Sequence, residues 1–565
     1  MTDRFPWFAR THDLALTLTG WPSVTGTPGE RAFGPRLHDL LSRWPYFRAH
    51  PDQLWLGAIP GSDAQNVFAL VTGTHPDTVV LSGHYDTVST AAYGDLQALA
   101  TKPDPLLGAL LTQLDRADLT AAERQARADL QSGDFLPGRG LLDMKAGLAA
   151  GLAVLERYAQ QPPETRRGHL LFITTPDEEG LSCGARRVAE QLPTVTGTRR
   201  LRVRLGLNLD ATSAAGDGQD GRAIYLGTVG KLLVGALVVG RSTHAGYPYD
   251  GTSAALIAAE LVRRVEGHPD LADHAHGETA PPPVCLAMQD DRTQYDVTTP
   301  AALWCAFNVL THRRRPEDVL GQFVTLAQEA ADAALRTSAD RAQAAGSASA
   351  TGLAQQRARV LTAADLRALA VKHAGPARVA ALEAAVVPGP DPLVVSRRVT
   401  QDLVHAAGLH GPLIVLGFAS VHYPHTHVED TPGGEGVRAW VDAQRDRFAE
   451  ESGHHLAVRP YFAGISDISF LGQAPSPATH AVVTRQTMHP AYCPPRPAHA
   501  LPFPVLNVGP WGRDYHQTLE RVHAPYAFGV LPALLWQLAT TPLPSEDAGL
   551  EPAGPASTDL DGRVS

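Results

Sequence analysis

The chain has 565 residues, 44% of them apolar and 19% charged, the composition of a folded globular protein with enough length for a large core. Its net charge of -10 offers no basic face for nucleic acid, and a mild excess of acid serves solubility. The four cysteines, Cys183, Cys285, Cys305 and Cys493, are scattered without a Cys-x-x-Cys pair, which argues against a disulfide framework or zinc ribbon and fits a reducing, cytoplasmic setting. No basic region followed by an apolar one opens the sequence, and no run of about 18 apolar residues occurs, so neither an export signal nor a membrane span is expected.

Apolar positions at helical spacing predict helices over 7–20 and 35–44, joined by a Gly- and Pro-rich connection. Strands follow at Asn66–Thr72 and Thr78–Gly83. The second runs into Gly83-His84-Tyr85-Asp86-Thr87-Val88 and delivers His84 at its carboxyl end. A metal-bound imidazole usually passes its other N–H to a carboxylate, so His84-x-Asp86 reads either as a ligand with its orienting acid or as a satisfied core histidine. Residues 89–138 are polar and rich in Ala and Leu, a helical insertion that either covers one side of a site or decorates the surface.

Gly138-Arg139-Gly140-Leu141-Leu142-Asp143-Met144-Lys145 reads as a loop turning into a helix over 148–160. Asp143 falls near the helix start, where an acid is also a favourable cap. His169–Thr175 is an apolar strand that ends in Asp177-Glu178-Glu179-Gly180. Three adjacent carboxylates repel one another unless a cation or protons relieve them, or unless the loop is simply solvated. Leu205–Leu209, another short strand, ends in Asp210. One histidine and several carboxylates thus collect at strand ends, where open α/β sheets bind ligands.

From Leu226 the texture changes. A strand (Lys231–Val239), a turn presenting His244 in Ser242-Thr243-His244-Ala245-Gly246-Tyr247-Pro248, a helix (Ser253–Val265), two strands (Val284–Gln289, Ala302–Leu310) and a helix (Pro316–Leu335) follow the order of a ferredoxin-like unit. Pro412–Ala419 supplies its last strand, and residues 336–410 form an Ala- and Arg-rich helical insertion. A helix over 434–452 returns the chain to the first domain. The expected organisation is a catalytic domain from 1–212 and 431–542, an inserted unit at 213–430, and a tail at 543–565 with too little to bury, expected to be disordered. No dinucleotide fingerprint, P-loop or nucleophile elbow occurs. His422-x-x-His425-x-His427 is either a separate metal cluster or, the reading we favour, a structural loop at the domain junction.

Gly83-His84-Tyr85-Asp86-Thr87-Val88, Gly138-Arg139-Gly140 with Asp143-Met144-Lys145, Asp177-Glu178-Glu179, Asp210, His244-Ala245-Gly246 and Gly509-Pro510 with His516 and Glu520 are similar, in content and order, to the M20 family of dizinc peptidases and amidohydrolases. The insertion after Asp86, Ser132-Gly133-Asp134 and Tyr423-Pro424-His425 resemble the RocB branch, linked to arginine utilisation. The resemblance implies an α/β catalytic domain, a central mixed sheet flanked by helices, with an inserted ferredoxin-like α+β lid enlarged by helices. It implies hydrolysis of an amide bond in a small molecule, two zinc ions (or cobalt or manganese), and, as in dimeric members, pairing through the lid. Residue by residue, Asp143 would bridge the metals, His84 and Asp210 would complete one site, and Glu179 and His516 the other. Asp86 would stand behind His84, Glu178 would be the general base, and His244 would stabilise the oxyanion, often from a partner subunit. A metal-dependent binding or regulatory component of amino-acid utilisation is the alternative; binding alone would not require Glu178 as a free base. The sequence departs from the family where many members grip a substrate carboxylate. Asp296 stands for the usual Asn and Leu310 for the usual Arg, which disfavours an anion unless Arg313, Arg314 or Arg315, otherwise a solvated run, substitutes.

Overall fold

Strand Asp77–His84 lies within an eight-stranded mixed sheet, flanked by Arg202–Asn208 on one side and His169–Thr175 on the other, both parallel to it. The computed structural model describes residues 6–544 apart from 214–220, 291, 293, 390, 474, 494 and 498–500. From residue 545 on, the expected tail lies outside the described residues. Gln65–Val71 and Leu54–Ala58 extend the sheet antiparallel beyond His169–Thr175, the latter an edge strand that the sequence pattern did not announce. Beyond Arg202–Asn208 come Val505–Asn507, Ala223–Tyr225 and Ala457–Arg459.

The central strands read as near-continuous apolar runs because both faces of the sheet are covered. Alternate residues divide between the faces: Val79, Leu81, Leu205 and Leu207 pack into one core and Val80, Leu171 and Ile173 into the other. Helix Ala146–Gln160 buries Leu148, Leu152 and Leu155 in the first core, and Cys183–Arg199 buries Val188 and Leu192 in the second. The insertion after Asp86 folds as helices Pro103–Gln113 and Ala121–Ser132, the latter opened by a capping box between Thr120 and Glu123.

A second, five-stranded sheet has the order Val284–Asp290, Ala302–Thr311, Gly230–Val239, Leu413–Phe418, Arg359–Thr362. Its first four strands are mutually antiparallel and have the ferredoxin-like order. Helices Ala254–Val265 and Pro316–Ala344 cover one face. The 336–410 insertion covers the other face with Ala363–Ala374 and Pro392–Ala406, and adds Arg359–Thr362 as a fifth strand parallel to Leu413–Phe418. Val284–Asp290 keeps a free edge and exposes Val284, Leu286 and Met288.

Two segments cross the expected boundaries. Ala223–Tyr225, inside 213–430, pairs with Val505–Asn507 and Ala457–Arg459 of the main sheet. Helix Pro477–Gln486 and Met488, inside 431–542, pack on the second sheet. Among the described residues, no helix is long and apolar enough to cross a membrane.

Candidate dimetal centre

Parallel pairing sets Thr175 beside His84 and Asn208 beside Ser82, so the strands that carry His84, Glu178 and Asp210 end along one rim. Asp143 arrives from the loop before helix Ala146–Gln160, with a non-helical backbone at φ -113, ψ 97 and a cis peptide to Met144. His516 comes from the turn between Trp511–Arg513 and Arg521–His523. The donor atoms of His84, Asp143 and Asp210 lie within 4.8 Å of one another, as do those of Asp143, Glu179 and His516, and Asp143 belongs to both groups.

The contacts show how the groups are aimed. His84 Nε2 is 3.2 Å from Asp143 Oδ1 and 3.8 Å from Asp210 Oδ1 and Glu178 Oε2. His516 Nε2 is 3.0 Å from Asp143 Oδ2 and 2.9 Å from Glu179 Oε1. Despite that proximity, Glu179 Oε1 is buried and has no hydrogen-bond partner. A buried carboxylate oxygen facing an imidazole nitrogen without hydrogen-bond geometry suits a cation between them, so the residues fit a metal pair with mixed nitrogen and oxygen donors.

Asp86 does more than stand behind His84. The ring Nδ1 of His84 is nearer the Asp86 carbonyl, at 3.1 Å, than the carboxylate, at 3.5 Å. Donation from Nδ1 leaves Nε2 free for a metal. The Asp86 carboxylate instead accepts the backbone N–H groups of Glu178 and Glu179, at 3.1 and 3.2 Å, and the Thr25 hydroxyl at 2.9 Å. That turn opens at Asp177 with φ 66, and His516 also has φ 66, left-handed values that cost a non-glycine residue about 1–3 kcal/mol. Asn507 brackets Asp210, its side chain accepting from the Asp210 N–H and donating to its carbonyl. Gly509 approaches so closely that a Cβ would fall 1.9 Å from the Asp210 carbonyl oxygen.

Charge follows from this crowding. Burial raises Glu178 well above the usual carboxylate range, with Asp210, Glu179 and Asp467 adding to the rise and His84 opposing it. Burial would depress His84 and His516, but the surrounding carboxylates prevail: His84 is raised well above its ordinary value and His516 is pushed up to about 10. Without metal the cluster holds protons in its place.

Several contributing residues had no role assigned from the sequence, although Arg139, Glu520 and Tyr423 stand in its motifs. Arg139 pairs with Glu520 at 2.6 Å, both buried, and Glu520 also accepts from Gly140 N–H, fixing the Asp143 loop to the His516 turn. Asp467, buried and pushed up to about 7 chiefly by burial, accepts from Thr175. Lys231 and Tyr423 line the same cavity of about 290 Å³, together with Phe462, Gly464 and Tyr515. A lone lysine in an apolar strand was the available signal for Lys231.

The remaining sequence candidates lie elsewhere. His244 is exposed and is not among the cavity's lining residues; its strand-like neighbours are Val297 and Thr298, and Thr298 hydrogen bonds to Asp296. Leu310 sits directly across the strand pair from Lys231. The Arg313 and Arg314 N–H groups are bound by Asp273, and the Arg314 guanidinium donates to the Leu271 and Ala272 carbonyls. Among the described residues, His427 joins a group with metal-ligand spacing, with His276 and Asp430, and His422 and His425 do not.

The sequence profile described as Peptidase family M20/M25/M40 matches residues 119–492. The chain belongs to the M20 peptidase family. YqjN of Bacillus subtilis (strain 168) is 32% identical over 552 residues, covering 96% of this chain and 98% of the relative. RocB of the same strain is 26% identical, covering 94% of each chain. A tripeptidase, SAV1512, of Staphylococcus aureus shares the fold with a TM-score of 0.50 at 17% identity, over 95% of this chain and 98% of that one. As an M20 member the chain is a metallopeptidase or amidohydrolase acting on C–N amide bonds.

Proposed function

We propose that this M20 protein is a dizinc hydrolase of a peptide or N-acyl amino acid bond, with Asp143 shared, His84 and Asp210 completing one metal site and Glu179 and His516 the other. The observation that carries the reading is the pair of three-residue donor groups joined at Asp143, with Glu178 beside them. Cobalt or manganese would suit the same donors. Bound there, the ions supply Lewis-acid polarisation of the scissile carbonyl and a water acidic enough to be deprotonated near neutral pH.

Glu178 takes a proton from that water and returns it to the leaving amine. Its carboxylate stands beside the donor groups, 3.8 Å from His84 Nε2, while Asp86 accepts its backbone N–H. Phe462, Tyr423 and Tyr515 form the aromatic part of the cavity wall. His244 donates to the carbonyl oxygen as charge develops. Because it does not line the cavity in one chain, and because strand Val284–Asp290 lies at the edge of its sheet with Val284, Leu286 and Met288 exposed, we assign it to a second copy paired through the 213–430 lid. The likeness to RocB supports a place in arginine or amino-acid catabolism.

The test is turnover by zinc-loaded protein of dipeptides, N-acyl amino acids and acyl derivatives of arginine. Release of a free amine, lost in Glu178→Gln, supports the reading. Metal binding without turnover of any of these amides would favour a binding or regulatory role.

A further inference from the structure

The chain crosses between its two large sheets through Gly227–Thr228 and again through Thr426–His427, and these two crossings pair antiparallel. They lie so close that a Cβ on Gly227 would fall 2.0 Å from the Thr426 carbonyl oxygen. His427 therefore stands on a tightly packed junction, with its side chain buried. A hairpin of His274–Ala275 and Glu278–Thr279 brings His276 against it, and the two rings stack with centroids 3.6 Å apart and planes at 15°. His276 holds φ 49, a left-handed value that few non-glycine residues adopt. Asp430 follows at the end of the turn Val428–Asp430. The donor atoms of His276, His427 and Asp430 lie within 4.8 Å of one another, and the three side chains line a cavity of about 740 Å³ that shares no lining residue with the dimetal cavity.

His427 is 2% exposed, and its buried Nε2 has no hydrogen-bond partner among the described residues. Its Nδ1 accepts the Glu429 N–H at 3.3 Å, which puts the proton of the neutral ring on that unpartnered Nε2. A buried polar atom left unpaired is costly, and a cation at Nε2 would relieve it. The ring proton then moves to Nδ1, which gives up a long hydrogen bond and faces the Glu429 carboxylate, 3.9 Å away. The same carboxylate lies 3.1 Å from His276 Nδ1, while Asp430 Oδ2 lies 3.4 Å from His276 Nε2. Glu429 thus backs both rings on the Nδ1 side, the arrangement that orients metal-bound imidazoles. In stacked rings the lone pairs run side by side, so capture of an ion tilts His276, which sits on the exposed hairpin turn.

We propose that His276, His427 and Asp430 bind one divalent ion of the zinc class at a site apart from the dimetal centre, and that this ion fastens the hairpin to the junction between the sheets. Two imidazoles and a carboxylate suit such a borderline ion, and Glu429 and Asp430 together balance its charge.

The experiment saturates full-length protein with zinc, dialyses it and counts the ions by elemental analysis, both in the unsubstituted chain and in the Asp143→Ala background. His276→Ala and Asp430→Asn are each expected to lower the count by one ion per chain in both backgrounds, so the result does not depend on the role given to Asp143. Glu429→Gln should keep the ion and weaken it about 10–100-fold, the scale of losing an orienting partner. With copper(II) as the probe in Asp143→Ala protein, electron paramagnetic resonance should show nitrogen coupling from two imidazoles, and from one after His276→Ala. Melting temperature in excess chelator shows whether each variant folds, and His276→Gln replaces His276→Ala if that variant does not. Equal zinc counts with and without the His276 and Asp430 substitutions overturn the proposal, since His276 would then be an ordinary ion-pair partner of Glu429 and Asp430. A count that falls while the copper spectra with and without His276 coincide also overturns it, because the ring would then not be a ligand.

Discussion

On the main-sheet side of the cavity the backbones of Glu178, Glu179 and Asp210 are held by hydrogen bonds from Asp86 and Asn507, far away in the chain, whereas on the second sheet the exposed His244 ring accepts the N–H of Gly246, two residues on, at 3.0 Å. Tyr247, whose ring centre lies 5.9 Å from that of His244, is 66% exposed. The difference separates two tasks. On the proposed assignment, the groups for the metals and the base come together within one chain, while the group assigned to the oxyanion has to be delivered.

Removing a group from the braced side should have the largest effect. Asp143→Ala is expected to lose both metal sites and all detectable turnover, because one carboxylate serves both; full metal occupancy in that variant, measured by elemental analysis, would break the shared-ligand assignment. Glu178→Gln should keep metal and fold yet lose about two to four orders of magnitude in turnover. Unchanged turnover would shift the base role to another acid, with Asp177 the first candidate.

On the delivered side, His244→Ala is expected to lower turnover by about 10²–10³ with metal content and melting temperature nearly unchanged. Mixing it with Glu178→Gln sharpens the comparison: recovered activity means His244 acts across a dimer, and no recovery despite subunit exchange means it acts within one chain. Met288→Lys on the free edge strand should leave metal binding intact and cost only about fivefold to tenfold, recovered at high protein concentration, with sedimentation reporting the dimer.

Proton uptake gives the smallest and most specific signal. His516 is pushed up to about 10 and His84 is raised, so both rings are protonated at pH 7 in the metal-free protein. Metal needs the neutral rings, so zinc binding at pH 7 should expel protons, that of His516 among them, and tighten as pH rises toward about 10. Calorimetry in buffers of different ionisation enthalpy reads this directly, and heats independent of buffer would contradict it.

Much of this was legible in the residues, for identifiable reasons. Buried strands such as His169–Thr175 announce themselves by continuous apolar runs, and the ligand types stand at their ends. The ferredoxin-like order could be read because its helices and strands differ in period. Short elements that depend on partners could not: Leu54–Ala58 exists through pairing with Gln65–Val71, and Arg359–Thr362 through Leu413–Phe418. Lys231 lies directly opposite Leu310, and register is a property of two strands together. Asp86 was expected behind His84, but its two bonds to the 178–179 turn depend on a contact 92 or more residues away.

The Arg139–Glu520 pair closes a loop of 381 residues, and the Asp143–His516 contact one of 373. During synthesis at about 5–20 residues per second, roughly 20–80 s would separate the emergence of the two partners from the ribosome. The His84, Asp143 and Asp210 donors are made long before His516, but Asn507, Gly509 and Glu520, which hold Asp210 and the Asp143 loop, are made beside it. On the proposed assignment both metal positions therefore wait for the same late segment, and ribosome-bound chains halted before residue 507 should hold neither ion tightly.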